Sequence, residues 1–293
     1  MHLGATIRQV RKSKGMKQAG LAAGIMSRSN LSRFEGGEYS PGYDKLILLL
    51  DKLEMSLDEL LFLHRDYVEP VKRSLHLDLA EAGNRYDLDR VKALSHECFK
   101  LYRETGTEAF HHLYLLGQSV LLRRGRRDRV AELSEIAASI KPYLLGVEQW
   151  YLYEFKLLNN FLFTFSSGDA AFFGRRGVAE FAKYRAFPES RTVQQHLMQN
   201  IAIICLRERD YAQSLYFLQQ ALPLADKTHL LYDKIETSIY YEITRIRLGQ
   251  QESTAELDRY LLILRQLGFT DSYRALRSVC SEHGIHSLTG DAL

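Results

Sequence analysis

The side chains in this chain best placed to do chemistry are a short run of hydrogen-bonding groups, Ser27-Arg28-Ser29-Asn30 and then Ser32-Arg33. An arginine can donate two parallel bonds to a guanine edge, and an asparagine can pair with adenine as donor and acceptor together. A hydroxyl serves in either sense. Among them and just after stand Leu31 and Phe34, three residues apart, which one face of a helix must bury, leaving Arg28, Ser29, Asn30, Ser32 and Arg33 outside. The surroundings are basic: Arg8, Arg11, Lys12, Lys14, Lys17, Arg28 and Arg33 fall in the first 34 residues, which contain no acid. The net charge of the whole chain is only +3, so the surplus is local, as a surface for a polyanion such as DNA requires. Lys14 and Lys17 are placed for phosphate contacts.

Other chemistries find little support. There is no Gly-rich phosphate loop, no H-E-x-x-H and no G-x-S-x-G, so neither an enzyme nor a cofactor site is expected. His111 and His112 are neighbours, and adjacent residues on a helix point apart, so they make a poor metal site. Cys98, Cys205 and Cys280 are widely spaced and fit neither a disulfide framework nor a zinc pattern, and Cys98 and Cys205 read as small buried hydrophobes. The run Arg123-Arg124-Gly125-Arg126-Arg127 reads as a solvated turn, with a phosphate contact as the sharper alternative. The N-terminus lacks the apolar core of a signal peptide, and no stretch reaches the roughly 20 apolar residues of a membrane span. A reducing cytoplasm, away from membranes, is the expected setting.

The elements that must position these groups are helices. Pro is scarce, at 5 of 293 residues, and helix-favouring straight-chain residues abound. Leu3, Ile7 and Val10 mark the buried face of a first helix, with Arg8, Arg11 and Lys12 turned away, ending near Lys14-Gly15. A second runs from about Gln18 to Ala23 with Leu21 inward, and Gly24 breaks it. Ser27 can cap the third. Ser40-Pro41 predicts the start of a fourth, striped by Leu46, Leu49, Leu50 and Leu53. Ser56-Leu57-Asp58-Glu59 forms a capping box for a fifth. Residues 1–65 therefore read as one small all-α domain, followed by a linker at 66–70.

Residues 3–62 resemble the Cro/C1-type (XRE) helix-turn-helix, carried by the segment MKQAGLAAGIMSRSNLSRFEGGEYSP. The stretch Ser29-Asn30-Leu31-Ser32-Arg33-Phe34-Glu35-Gly36-Gly37 is similar in detail to the Rgg branch, whose recognition helix ends in a similar pattern. The resemblance implies that Gln18 touches a phosphate, that Arg11 and Glu35 form an ion pair, that Arg28, Ser29 and Asn30 read bases, and that Arg33 meets backbone. Many Rgg proteins carry a cross-linking cysteine just after the recognition helix. Residues 36–70 contain none here, so a redox-linked dimer at that point is not expected.

The remainder, 71–293, repeats. Residues 200–222 read as helix, tight turn at Arg209-Asp210, then helix, similar to a tetratricopeptide hairpin. Comparable turn points at Asn84, Gly125, Gly168, Arg209 and Gly249 recur every 40 to 43 residues. They predict five degenerate hairpins and a terminal cap around 270–284, stacked into a superhelix with a concave face. In that register Asn159 and Asn200 are equivalent and Tyr240 lies nearby in the next repeat. An asparagine amide can pair with a peptide backbone without reading its side chains. Glu154, Asn160, His196, Gln199, Arg245 and Arg247 stand close to them and complete the candidate peptide-binding set. Trp150 reads as packing. The stretch from Trp150 to Asn160 also resembles the Rgg sensor domain. That resemblance implies a bacterial, Gram-positive cytoplasmic receptor for a short imported peptide pheromone. It also implies a homodimer on a near-palindromic promoter site, with RNA polymerase as a further partner. The alternative is a regulator whose repeats bind a protein, an antirepressor or a scaffold, in place of a peptide.

Overall fold

A computed structural model describes residues 2–124, 129–184, 186–228 and 230–286. The basic turn at Gly125, Arg126 and Arg127 lies outside the described residues, as does the second turn point. Every described element is helical, with no strand among them. The chain divides into two compact units, Met1–Glu81 and Ala82–Leu293.

The first unit holds α1 (Leu3–Ser13), α2 (Gln18–Ala22), α3 (Arg28–Gly36), α4 (Tyr43–Lys52), α5 (Leu57–His64) and most of α6 (Val71–Asn84). Its boundaries follow from local chemistry. His2 Nδ1 accepts from the Ala5 N–H at 3.2 Å, Ser27 Oγ from Asn30 N–H at 3.1 Å and Ser56 Oγ from Glu59 N–H at 3.1 Å, each satisfying a donor that a helix start leaves unpaired. At the far end of α3, Gly37 takes φ +85°, and the Glu38 N–H reaches back to the Arg33 carbonyl at 2.9 Å, the glycine-terminated closure of a helix. The fourth helix departs from expectation. Ser40-Pro41 does not open it: Gly42, extended at φ −62° and ψ 159°, is the N-cap and α4 starts at Tyr43. Asp44 then supplies the negative charge that the first turn favours.

Ile7, Leu21, Leu31, Phe34, Leu49, Leu50, Leu53 and Leu60 form the core of this unit. Burying Leu31 and Phe34 contributes about 1.5–3 kcal/mol apiece, and their burial turns the polar face of α3 outward. α1 crosses α3 so closely that a Cβ on Gly4 would lie 1.7 Å from the Phe34 carbonyl oxygen. Only glycine permits that approach.

The second unit comprises the end of α6 with α7 (Leu88–Thr105), α8 (Glu108–Arg124), α9 (Val130–Gly146), α10 (Leu152–Phe161), α11 (Ser167–Phe181), α12 (Glu189–Arg207), α13 (Tyr211–Thr228), α14 (Leu231–Arg247), α15 (Ala255–Gln266) and α16 (Thr270–Glu282). Sequential helices pack on one another, α7 on α8, α12 on α13, α13 on α14 and α15 on α16. A single apolar core runs through α8 to α16, from Leu115 to Ile285. Arg209 makes the α12–α13 turn in the left-handed region at φ +62°, with the Asp210 N–H closing on the Cys205 carbonyl at 2.8 Å. Gly249, at φ +68°, follows α14. Gly168 is not the turn itself. It lies within the first turn of α11, whose N-cap is Ser166, accepting from the Asp169 N–H at 3.2 Å. The serine cap outcompetes the glycine as the local punctuation because it satisfies a helix-start donor. Gly174 has a different use, since a Cβ there would come within 2.7 Å of Ile201 and Phe217.

Candidate functional site

In the first unit, Glu35 is the centre of the helix-turn-helix geometry. Arg11 Nε donates to its Oε1 at 2.6 Å and Arg11 Nη2 to its Oε2 at 2.9 Å, while Arg11 Nη1 reaches the Met16 carbonyl at 2.6 Å. Gln18 Nε2 also donates to Glu35 Oε2, at 2.9 Å. One buried carboxylate therefore ties α1, the loop before α2, and the start of α2 to the recognition helix. Burial alone would push the Glu35 carboxyl up, but the bonds from Arg11 and Gln18 outweigh it and hold the group below its ordinary range. Arg11 consequently does not turn away with Arg8 and Lys12. Those two are exposed, whereas Arg11 is buried, because the fork of a guanidinium matches a carboxylate that α3 brings inside.

With that scaffold fixed, Ser27, Arg28, Ser29, Ser32 and Arg33 are exposed on α3 and Asn30 is half-buried. Lys14 and Lys17 stand exposed before α2. Gln18, half-buried, spends one amide hydrogen on Glu35 and has a second on the same nitrogen. The Arg33–Glu38 contact, 3.8 Å between exposed groups, is too weak to compete with a phosphate. The face so formed is a row of donors on a short helix with basic side chains beside it, suited to base edges and phosphates.

In the second unit, the polar side chains of α10, α12 and α14 meet across the helices. Asn200 Nδ2 donates to Asn159 Oδ1 at 2.9 Å. His196 Nε2 lies 2.8 Å from Asp233 Oδ2. Gln199 donates to Glu236 Oε2 at 2.7 Å and accepts from Gln195 Nε2 at 2.8 Å and from the Thr237 hydroxyl. Tyr232, at the start of α14, places its hydroxyl 3.4 Å from Glu236 and 3.1 Å from Ser272 of α16. Burial pushes the Glu236 carboxyl up, against the bonds from Gln199 and Tyr232.

Four members of the predicted set, Asn159, His196, Gln199 and Asn200, thus stand on these facing helices, with half-buried Asn160 next in chain to Asn159. The others stand on α10 and α14 as well but make different contacts. Glu154 closes the capping box of α10, accepting from the Tyr151 N–H at 2.8 Å and the Tyr143 hydroxyl at 2.9 Å. Tyr240 is buried. Arg245 pairs with Glu242 at 3.1 Å, and Arg247 stacks 5.7 Å over Tyr211 of α13. Gln195, Asp233, Glu236 and Thr237 join this cluster from outside the predicted set. An available signal was the constant offset of 37 residues that links His196 to Asp233 and Gln199 to Glu236.

The remaining singled-out residues are structural. Trp150 is wholly buried, donates to the Leu144 carbonyl at 3.0 Å and carries Arg176 at 4.6 Å over its ring. His112 lies buried with Nδ1 at 2.7 Å from the Tyr153 hydroxyl, and desolvation pushes it down to about 4. All three cysteines are buried and their thiols pushed up, Cys98 and Cys280 to about 11 and Cys205 to about 12. Such thiols are inert. No His, Cys, Asp or Glu cluster fit for a metal occurs among the described residues, and no described helix is long and apolar enough to cross a membrane.

Known proteins share this layout. The helix-turn-helix family matches residues 7–60. In fold, the chain is similar to the SHP pheromone receptor Rgg2 of Streptococcus dysgalactiae, with a TM-score of 0.74 and 22% identity over 96% of this chain and 100% of that one. It is similar to PrgX solved in complex with cCF10, with a TM-score of 0.68 and 16% identity over 95% and 98% of the two chains. It is also similar to PlcR of Bacillus thuringiensis, solved with the peptide PapR7 and DNA, with a TM-score of 0.58 and 15% identity over 92% and 98%. The family described as the C-terminal domain of the HTH-type transcriptional regulator Rgg matches residues 108–277, more than half of the chain. Helix-turn-helix and helical repeat together are those of one family, and the chain belongs to the Rgg family of HTH-type transcriptional regulators.

Proposed function

We propose that this regulator is a cytoplasmic homodimer that reads a near-palindromic promoter site through α3. A short imported peptide, bound on the face shared by α10, α12 and α14, switches its activity. Arg28, Ser29 and Asn30 read bases, while Lys14, Lys17, Gln18 and Arg33 meet the backbone and Ser27 and Ser32 border the reading face. The observation that carries the peptide reading is the amide pair Asn159–Asn200. Its single cross-helix bond, from Asn200 Nδ2 to Asn159 Oδ1, leaves both amide hydrogens of Asn159, and one N–H and the oxygen of Asn200, the complement of a peptide unit. Rgg2 is a pheromone receptor, and PrgX and PlcR were solved with peptides, which supports the same use of the fold here.

The test is to select duplexes from a random DNA pool with the full-length protein. Mobility of the selected complex is then followed while peptides encoded beside the gene are titrated in. A peptide that saturably alters mobility or affinity supports the proposal. Asn159→Ala with Asn200→Ala should keep DNA binding and lose the peptide response. A double variant that responds as the parent does places the peptide elsewhere.

A further inference from the structure

The polar cluster between α12 and α14 is short of hydrogen-bond donors. Asp233 and Glu236 stand half-buried, one turn apart on α14, and two carboxylates can accept many bonds. Asp233 has His196 Nε2 at 2.8 Å, and Glu236 has Gln199 Nε2 at 2.7 Å and the Tyr232 hydroxyl at 3.4 Å. No Lys or Arg among the described residues forms an ion pair with either. Burial pushes the Glu236 carboxyl up and the neighbouring Asp233 charge adds to that push, against the bonds from Gln199 and Tyr232 and the influence of His196. A carboxylate taken from water without a cation is held at a cost.

A second shortage lies in the same cluster. Gln195 is wholly buried, and its Nε2 serves Gln199 Oε1 at 2.8 Å and Thr237 Oγ1 at 3.2 Å. Its Oε1, on the same carbon, accepts from no group in the structure. An orphaned buried acceptor is disfavoured, and buried polar groups otherwise find partners almost without exception. The neighbouring amide, Gln199, turns its Oε1 to Gln195 Nε2 and commits its Nε2 to Glu236. An incoming cation with several N–H groups answers the first shortage directly and reaches the second through Gln199. It takes over the Glu236 carboxylate and releases Gln199, the amide in contact with Gln195, to rearrange with it. An anion would add like charge beside two carboxylates.

We infer that this face takes a peptide bearing a cationic group, a basic side chain or a free amino terminus, seated against Asp233 and Glu236 and freeing Gln199. The inference rests on the peptide-receptor reading proposed above and adds the charge class of the ligand. Asp233 and Glu236 then act as specificity residues, excluding acidic peptides from a groove whose asparagines are indifferent to side chains.

The experiment is a selection from displayed random octapeptides on the full-length protein, repeated on Asp233→Asn with Glu236→Gln and on Glu236→Lys. Circular dichroism melts establish that each variant is folded. Peptides from the parent should share a Lys or Arg at one position, or else lose binding on N-acetylation, which separates side chain from terminus. They should bind the neutralised variant about tenfold more weakly or worse, and Glu236→Lys should select acidic peptides instead. Selected peptides without a shared basic residue, insensitive to acetylation and to the carboxylate changes yet lost on Asn200→Ala, would overturn the charge assignment while leaving the receptor reading standing. A selection that yields no peptide on any of the proteins counts against the receptor reading and the charge assignment with it.

Discussion

At the scale of single residues, the recognition face separates groups that read from groups that hold. Arg28 is exposed in the first turn of α3, where a side chain can enter the major groove. Lys14 lies exposed beyond the end of α1. Arg28→Ala should therefore cost about 1–3 kcal/mol at the selected site and relax preference at one base position. Lys14→Ala should weaken every sequence alike and reduce the salt slope by roughly one unit. Binding isotherms on specific and scrambled duplexes across a salt series distinguish these outcomes, and equal losses for both variants would misplace the reading residues. Glu35 supports that face from within, and its depressed carboxyl titration fixes a pH signature. A group more acidic folded than unfolded stabilises the fold above its unfolded value, near 4.5, and that contribution drains away as pH falls through the lower folded value. Amide exchange over residues 7–60 should accelerate as pH drops below that point, beyond the intrinsic chemical trend. Glu35→Gln should be weaker at neutral pH, because it leaves Arg11 buried without its counter-charge, and should lack that acid-dependent change.

At the scale of elements, what was legible depended on how far apart in sequence the deciding groups stand. The caps Ser27 and Ser56 act over three residues, so α3 and α5 could be placed from local spacing. Gly15, Gly24 and Gly37 take the positive φ that punctuates helices. Where two local signals competed, the reading failed by a residue or two: Gly42 displaced Pro41 as the start of α4, and Ser166 displaced Gly168 as the turn before α11. Arg11 was misjudged by periodicity because its burial depends on Glu35, 24 residues away. The cross-helix bonds of the proposed ligand face span 37 to 42 residues. They depend on how each hairpin registers against the next, which residue spacing within a helix does not encode, and so Gln195 and Glu236 went unseen. The α1–α3 crossing is equally long-range and invites a sharp test. Gly4→Ala places a methyl 1.7 Å from a backbone oxygen, a clash no rotamer relieves. The substitution should destabilise the first unit by more than about 3 kcal/mol and abolish specific DNA binding. Urea unfolding followed with the mobility assay would show it, and a parent-like melt would mean the crossing yields more easily than close packing allows.

At the scale of the whole molecule, the proposed switch is a statement about linkage between two ligands. A peptide bound to the helical unit can alter DNA binding only by favouring one arrangement of the proposed dimer over another, because a ligand of equal affinity for both shifts nothing. Whatever factor the peptide imposes on DNA affinity, DNA must impose on peptide affinity. The coupling is therefore measurable from the peptide side, at the contacts proposed on α10, α12 and α14. Calorimetric titration of peptide into the protein alone, and into the protein saturated with its selected duplex, should give dissociation constants differing by about 5- to 150-fold, the usual range of such coupling. The same factor should separate the DNA affinities measured with and without peptide. Asn159→Ala with Asn200→Ala should weaken the peptide in both titrations. Glu35→Gln, acting on the DNA-binding unit, should lower DNA affinity and leave peptide affinity for the free protein unchanged. Equal peptide affinities with and without DNA, in a protein that binds both, would show two independent sites on one chain. Control of transcription would then have to run through a partner recruited by the peptide, not through the hold on DNA.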